Sequence, residues 1–238
     1  WKGFQRPKRL EFEAETLTDR FGRFYAQPFE RGFGTTIGNA MRRVLLNSLP
    51  GAAVTAVQIG GVHHEYSTLP HVQEDMIDFL LNVKALRLRS LTGRPAVLRL
   101  ELNGRTGPVT AADLLPSGEY EVVNPELILL HLDSPDADIS IEFHAETGVG
   151  YKPAENRDES QVIGLLPVDA LFTPIRRANF EVEATRVGQV TDYDRLVLEV
   201  WTDSTTTPQD AVKQSADIIL QHMNPFSSLG QPADEESQ

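Results

Sequence analysis

Two segments of the chain show alternating apolar and polar residues, at positions 96–102 and 138–145. Successive side chains of an extended strand point to opposite faces, so this period of two predicts strands with one buried and one solvated face. The apolar positions are Leu98, Leu100, Leu102, Ile139, Ile141 and Phe143.

A second pair of alternating segments covers residues 180–187 and 195–201. We interpret them as an antiparallel hairpin whose turn lies at Asp192, Tyr193 and Asp194, since polar residues separate the two apolar patterns. Shorter strands are predicted over residues 9–16, 21–29 and 53–59.

The first predicted helix follows a glycine-rich stretch, with Thr35 or Thr36 as N-cap, and runs to about Leu49, where Pro50 and Gly51 stop it. When the residues of this helix are placed at 100° intervals around its axis, most apolar residues fall in one stripe, and the opposite side is mostly polar. The stripe comprises Ile37, Met41, Val44, Leu45, Ser48 and Leu49, and the opposite side carries Asn39, Arg43 and Leu46. An arginine beside an exposed leucine is typical of a protein-docking surface, so we single out Arg43.

A second helix is predicted over residues 73–84, with Glu74 and Asp75 at its start, where the helix dipole favours negative charge. Its buried face comprises Met76, Phe79, Leu80 and Val83.

The third predicted helix has the clearest boundaries. Thr207 is its N-cap, Pro208 occupies the first helical position, and the helix ends at Asn224-Pro225. Its apolar stripe is Val212, Ala216, Ile219, Leu220 and Met223, widened by Ala211, Ser215 and Ile218. Because one sheet cannot cover so wide an arc, we expect a second subunit to cover the rest.

Composition limits the classes of function. The 238 residues include no cysteine, which excludes disulfides and thiolate chemistry and permits a cytoplasmic location. No apolar run approaches the ~20 residues of a membrane span, so we expect a soluble protein. Since the chain starts at Trp1 without an initiator Met, we expect a trimmed or incomplete product.

Charge is unevenly distributed. Residues 1–110 carry a net charge of +5, and residues 111–238 carry −17. Independent nucleic-acid binding normally requires a basic face, so this balance argues against a stand-alone nucleic-acid-binding module.

Three groups of residues could in principle form a cofactor, metal or catalytic site. The glycines at 32, 34 and 38 do not have the spacing of a dinucleotide-binding turn, and we interpret them as a tight strand-to-helix turn with close packing. The histidines at 63, 64 and 71 with Glu65 do not converge on one metal ion if residues 63–67 are extended. The aspartates at 133, 136, 138, 192 and 194 are those of solvated turns. We therefore predict no catalytic residue, no cofactor and no metal site.

One segment resembles a known family. Residues 30–46 (ERGFGTTIGNAMRRVLL) are similar to the signature of the bacterial RNA polymerase alpha subunit N-terminal domain. Further similar segments follow in the same order: residues 50–55 (PGAAVT), 64–68 (HEYST), 72–75 (VQED), 107–113 (GPVTAAD) and 191–196 (TDYDRL).

The resemblance implies an α+β protein with antiparallel sheets and two lobes. A dimerisation domain would comprise residues 1–51 and 176–226, an inserted β-rich domain would comprise residues 52–175, and residues 227–238 would begin a linker to a DNA-binding domain outside this chain.

The resemblance also implies contact residues. Arg43, Leu46 and Asp78 would contact the beta subunit, and Lys84, Val168 and Arg176 the beta-prime subunit. The dimer interface would comprise Ile37, Met41, Val44, Leu45, Val212, Ile219, Leu220 and Met223. Transcription activators are possible partners of the inserted domain.

The function expected from this resemblance is that of a non-catalytic, homodimeric assembly scaffold within a cytoplasmic, nucleoid-associated nucleotidyltransferase. Two alternatives stay open at this point: an enzyme with a nucleotide cofactor at residues 32–38, and a nucleic-acid-binding module.

Overall fold

The alternating segments form long antiparallel strands in a mixed α+β fold, which confirms the predicted fold class. The fold is described from a computed structural model, over residues 5–62, 64, 66–154, 164–227 and 229. The helices are α1 (Phe33–Asn47), α2 (Met76–Lys84) and α3 (Pro208–Ser227). The strands are β1 (Glu11–Phe12), β2 (Phe21–Phe29), β3 (Pro50–Ile59), β4 (Leu88–Ser90), β5 (Ala96–Asn103), β6 (Gly107–Thr110), β7 (Tyr120–Val122), β8 (Ile128–Leu132), β9 (Asp138–Val149), β10 (Tyr151–Lys152), β11 (Leu165–Pro167), β12 (Ala170–Leu171), β13 (Ile175–Val187) and β14 (Val190–Thr202).

The chain divides into two compact units. Unit 1 contains the described residues up to Leu49, those of Ile175–Thr202 and those from Thr207 onward. Unit 2 contains the described residues of Pro50–Pro174 together with the short segment Asp203–Thr206.

Unit 1 is a four-stranded antiparallel sheet in the order β1-β2-β14-β13, with α1 and α3 packed on one face. The core between sheet and helices comprises Phe24, Met41, Leu45, Leu49, Ile175, Ala178, Leu198, Val200, Ala211 and Val212. The first strand is much shorter than the predicted span of residues 9–16.

The β13–β14 hairpin turns at Gly188 and Gln189, because Val187 pairs with Val190. Gly188 has a φ of 62°, a left-handed conformation that favours glycine. The predicted turn at residues 192–194 was therefore wrong, since these residues lie inside β14.

Glycines allow α1 to lie directly against β13 and β14. A Cβ atom at Gly38 would lie 2.4 Å from Cδ2 of Phe180, and one at Gly34 would lie 2.9 Å from Cβ of Asp194. Any larger residue would push the helix away from the sheet. The interpretation of these glycines as packing positions is confirmed.

A side chain distant in sequence caps the start of α1. Gly32 precedes the helix with a φ of 89° and offers no side-chain cap. Instead, Oδ2 of Asp194 accepts hydrogen bonds from the N–H groups of Gly32 (2.8 Å) and Gly34 (3.1 Å). The predicted threonine cap was wrong, because Thr35 and Thr36 lie within the helix.

Unit 2 is built on a larger antiparallel sheet in the order β5-β9-β3-β4-β7, with β11 also paired to β3. The predicted inward residues of β5 and β9 are all buried in its core. The helix α2 covers this core with Met76, Phe79 and Val83, and the carboxylate of Asp75 caps it by accepting from the N–H of Asp78 at 2.8 Å.

The third helix begins as predicted, with the Thr207 hydroxyl accepting from the N–H of Asp210 at 3.1 Å. Its predicted end was wrong, because α3 continues through Pro225 to Ser227. Pro225 lacks the N–H that would donate to the carbonyl of Gln221, and α3 ends two residues after it. Within the described part of the chain, no helix has the length and apolarity that a bilayer span requires.

We predict that Asp194→Ala lowers the free energy of unfolding by about 1 to 2 kcal/mol, because two N–H groups at the α1 N-terminus lose their acceptor. Urea denaturation followed by circular dichroism measures this loss. The matched control is Asp192→Ala, which removes an exposed carboxylate of the same strand. Equal stability of the two variants would contradict the role of Asp194 as a cap.

Candidate protein interfaces

The outward side of α1 carries the arginine that sequence analysis singled out. Arg43 and Asn39 are exposed and Leu46 is half-buried. Arg43 makes no hydrogen bond or ion pair with any other described residue, whereas Nε of Arg42 donates to the carbonyl of Ala178 at 3.0 Å. The adjacent arginines therefore differ, because Arg42 is bonded to β13 and Arg43 is available to a partner.

The inward side of α1 is largely used by its own unit. Leu45 is fully buried and Met41 is 8% exposed, both in the core of unit 1. Ile37 and Val44 are half-buried. Of these four predicted dimer contacts, only Ile37 and Val44 retain surface for another molecule.

The apolar stripe of α3 changes its environment along the helix. Val212 is buried in the core of unit 1, and Ile219 is half-buried beside it. Further along, Leu220 and Met223 are 61% and 55% exposed. The stripe therefore continues beyond the part of α3 that its own sheet covers.

Sequence analysis missed Phe226, which is 76% exposed and follows Met223 by three residues. The helical period places it on the same side as Leu220 and Met223. It was excluded because the helix was predicted to end at Pro225, although the apolar spacing of 220, 223 and 226 was a usable signal.

Two other predicted contacts lie in different units. Asp78 is exposed on the first turn of α2 in unit 2, where Ile77 and Leu81 are also exposed. Arg176 is exposed on β13 in unit 1.

Lys84 and Val168 lie together beside a groove of about 280 Å³ in unit 2. Val168 is only 3% exposed, so its side chain serves mainly the core of the unit. Nζ of Lys84 donates to Oδ2 of Asp169 at 2.8 Å and lies 5.5 Å from the ring centre of Tyr151. The ion pair fixes the ammonium group at the rim of the groove.

This pairing changes two proton affinities. The hydrogen bond from Lys84, with a second from the N–H of Ala154, lowers the pKa of Asp169 to about 2. The hydrogen bond to Asp169 raises the pKa of Lys84 above its usual range. Both groups are therefore charged across the neutral pH range.

Other segments of the resemblance have structural roles. Arg105 holds the carboxylate of Asp113 through two hydrogen bonds, at 2.7 and 3.2 Å, and the N–H of Thr110 donates to the same group at 2.8 Å. These contacts fix the short 3₁₀ turn at Ala111–Asp113.

The glycines and histidines considered as chemical sites have the following places in the structure. The N–H groups of Gly32 and Gly34 donate to Asp194, and Gly34 and Gly38 face the sheet at packing distance, so this turn serves to cap α1 and to pack it on the sheet. Of the histidine constellation, His63 and Glu65 lie outside the described residues. Among the residues described, no three His, Cys, Asp or Glu side chains form a group that could hold a metal ion.

The geometry defines an α+β protein of two antiparallel units with exposed helical surfaces, and comparisons with known proteins identify its family. Residues 57–173 match the family model described as the RNA polymerase Rpb3/RpoA insert domain. The chain is 46% identical over 227 residues to the DNA-directed RNA polymerase subunit alpha of Carboxydothermus hydrogenoformans, covering 95% of this chain and 72% of the relative.

Two further relatives carry the same name. Identity to the subunit from Dehalococcoides mccartyi is 51% over 210 residues, covering 88% of this chain and 62% of the relative. Identity to the subunit from Moorella thermoacetica is 46% over 230 residues, covering 96% and 73%. The chain belongs to the DNA-directed RNA polymerase alpha subunit family, which confirms the resemblance.

For the Lys84–Asp169 pair we predict that Asp169→Asn lowers the free energy of unfolding by about 1 kcal/mol or less at neutral pH, because each side chain is about one-third exposed and partly screened. The pKa of Asp169 is lower in the folded protein than its unfolded value of 3.8, so its ionised form stabilises the fold fully above pH 3.8. This stabilisation is lost as the pH falls through about 2.

Urea denaturation at a series of pH values tests this dependence. The difference between Asp169→Asn and the original chain should shrink between about pH 4 and pH 2. Lys84→Met is the matched control, and the double variant should add little to either single change. A difference that stays constant down to pH 2 would show that the ion pair is not its cause.

Proposed function

We propose that this chain is a homodimeric assembly scaffold of RNA polymerase. Two copies associate through the exposed end of α3, and the dimer then recruits the beta and beta-prime subunits. The chain contributes structure to a cytoplasmic nucleotidyltransferase and supplies no catalytic residue itself. Its family supports membership of the polymerase, and the exposed stripe on α3 supports dimerisation.

The single observation that carries the dimer proposal is the exposure of Leu220, Met223 and Phe226 on one side of α3. Isolated apolar residues on a surface are ordinary, but a contiguous stripe is typical of an interface. Full burial of each side chain contributes about 1.5 to 3 kcal/mol. Counted in both copies, the gross gain is of order 10 kcal/mol, comparable to the association cost of about 4 to 15 kcal/mol.

A second copy is a better occupant than an unrelated protein, because the stripe continues the packed face of the same helix. Val212 and Ile219 lie on this stripe within unit 1, and Leu220 follows without a polar break. A two-fold arrangement lets the same surface serve both partners. The half-buried Ile37 and Val44 of α1 would add area to this interface.

The beta subunit is proposed to bind the outward side of α1, at Arg43 and Leu46, with a contribution from Asp78. Arg43 suits this role because it has no described partner within the chain and its planar guanidinium can form several hydrogen bonds at once. The beta-prime subunit is proposed to contact Lys84 and Arg176. Val168 is buried, so its proposed role is to support the groove beside Lys84.

We also propose that transcription activators bind unit 2. The acidic segment at residues 155–159 lies outside the described residues. Residues 227–238 are proposed to begin a linker.

We predict that Leu220→Glu converts the dimer into a monomer, because the dimer would bury a carboxylate without a partner. Light scattering coupled to size-exclusion chromatography measures the mass directly. The control, Gln221→Glu, places the same group one residue later, on the polar side of α3. A Leu220→Glu variant with the mass of a dimer would remove this stripe from the interface.

We predict that Arg43→Ala leaves folding and dimerisation intact but weakens capture of the beta subunit by about 2 kcal/mol or more. Co-purification with a tagged beta subunit, followed by titration, measures the loss. Arg94→Ala, which removes an exposed arginine of unit 2, is the control. Equal capture by the two variants would exclude Arg43 as a central contact.

A further inference from the structure

A basic groove lies on the face of the unit 1 sheet opposite to the helices. Phe24 points into the core with α1 and α3, so the next residue of β2, Tyr25, points to the other face and lines this groove. The groove has a volume of about 390 Å³. Its charged lining residues are Arg6, Lys8, Arg9, Glu11 and Arg186.

Three of the four cations that line the groove form no ion pair with a described residue, although Glu13 and Glu30 accept hydrogen bonds from the Tyr25 hydroxyl and the N–H of Gln5, both at 2.9 Å. Arg9 forms an ion pair with Glu11 at 2.9 Å. Arg6 and Lys8 make no hydrogen bond or ion pair with another described residue, and Nε of Arg186 donates to the neutral carbonyl of Gly188. These cations repel one another, and a bound anion would lower the electrostatic free energy of the group. In a chain whose net charge is −12, this concentration of cations indicates an anionic ligand.

The aromatic lining disfavours a nucleic-acid ligand. Single-stranded nucleic acids bind by stacking bases on exposed aromatic rings. The guanidinium carbons of Arg195 and Arg23 lie 4.4 and 5.7 Å from the ring centre of Tyr25 and occupy its surface. The negative charge of the whole chain also repels a long polyanion, whereas a short acidic segment responds mainly to the local field.

The neutral lining favours an extended peptide. The Thr185 hydroxyl donates to Oε1 of Gln27 at 3.1 Å, which leaves the amide N–H groups of Gln27 for a backbone carbonyl. Val187 lines the groove and is 38% exposed, so it can contact an apolar side chain.

We propose that this groove binds an extended acidic segment of a partner protein, with carboxylates paired to Arg6, Lys8 and Arg186 and the backbone held by Gln27. None of the residues that line this groove is among those assigned to dimerisation or to the two large subunits. Its test therefore does not depend on their assignment.

Fluorescence anisotropy with the purified chain tests this proposal. The probe is a labelled short peptide rich in glutamate and leucine, and the matched probe has glutamine in place of glutamate. We expect binding of the glutamate peptide that weakens with added salt, and much weaker binding of the glutamine peptide. Lys8→Glu should lower the affinity for the glutamate peptide by about fivefold or more.

Arg94→Glu is the matched control, because it makes the same change in net charge on exposed surface of unit 2. It should change the affinity by less than about twofold. Circular dichroism confirms that both variants fold. Absence of peptide binding at millimolar concentration, or equal weakening by the two variants, would overturn the proposal. Tighter binding of an oligothymidylate than of the peptide would identify a nucleic-acid site instead.

Discussion

Close packing of α1 against β13 and β14 is the constraint on which the rest of unit 1 depends. The absent side chains of Gly34 and Gly38 allow the contact, since a Cβ atom at Gly38 would reach 2.4 Å from Phe180. Asp194 then satisfies the N–H groups at the helix start. One side of α1 is thereby fixed against the sheet and Arg43 is directed to solvent, so the same contact that builds the core also presents the proposed docking surface.

Local patterns were sufficient to predict most elements of the fold. The alternation around Leu98 and Ile141 reflects a sheet with one buried face, and Pro208 with Thr207 marks the start of α3. What could not be predicted depends on contacts between residues distant in sequence. The cap supplied by Asp194 to Gly32 spans more than 160 residues, so the local sequence instead suggested Thr35 or Thr36 as the cap and placed Asp194 in a turn.

The same limit applies to the candidate interfaces. A helical wheel places Leu45 on the apolar stripe of α1 and Leu220 on the apolar stripe of α3, but it does not indicate which residues of a stripe face the protein's own sheet. The structure separates them, with Leu45 buried inside unit 1 and Leu220 mostly exposed. Phe226 was missed for a different reason, since the disfavour of the pre-proline residue for helix is a preference and α3 continues through Pro225 to Ser227.

The central claim is that the exposed end of α3 is covered by a second copy of the same chain. Sedimentation equilibrium of the unmodified chain over a range of concentrations tests it most directly. The account predicts the mass of two chains of 26.5 kDa at micromolar concentration, with dissociation only on strong dilution. A single-chain mass at every concentration would contradict it.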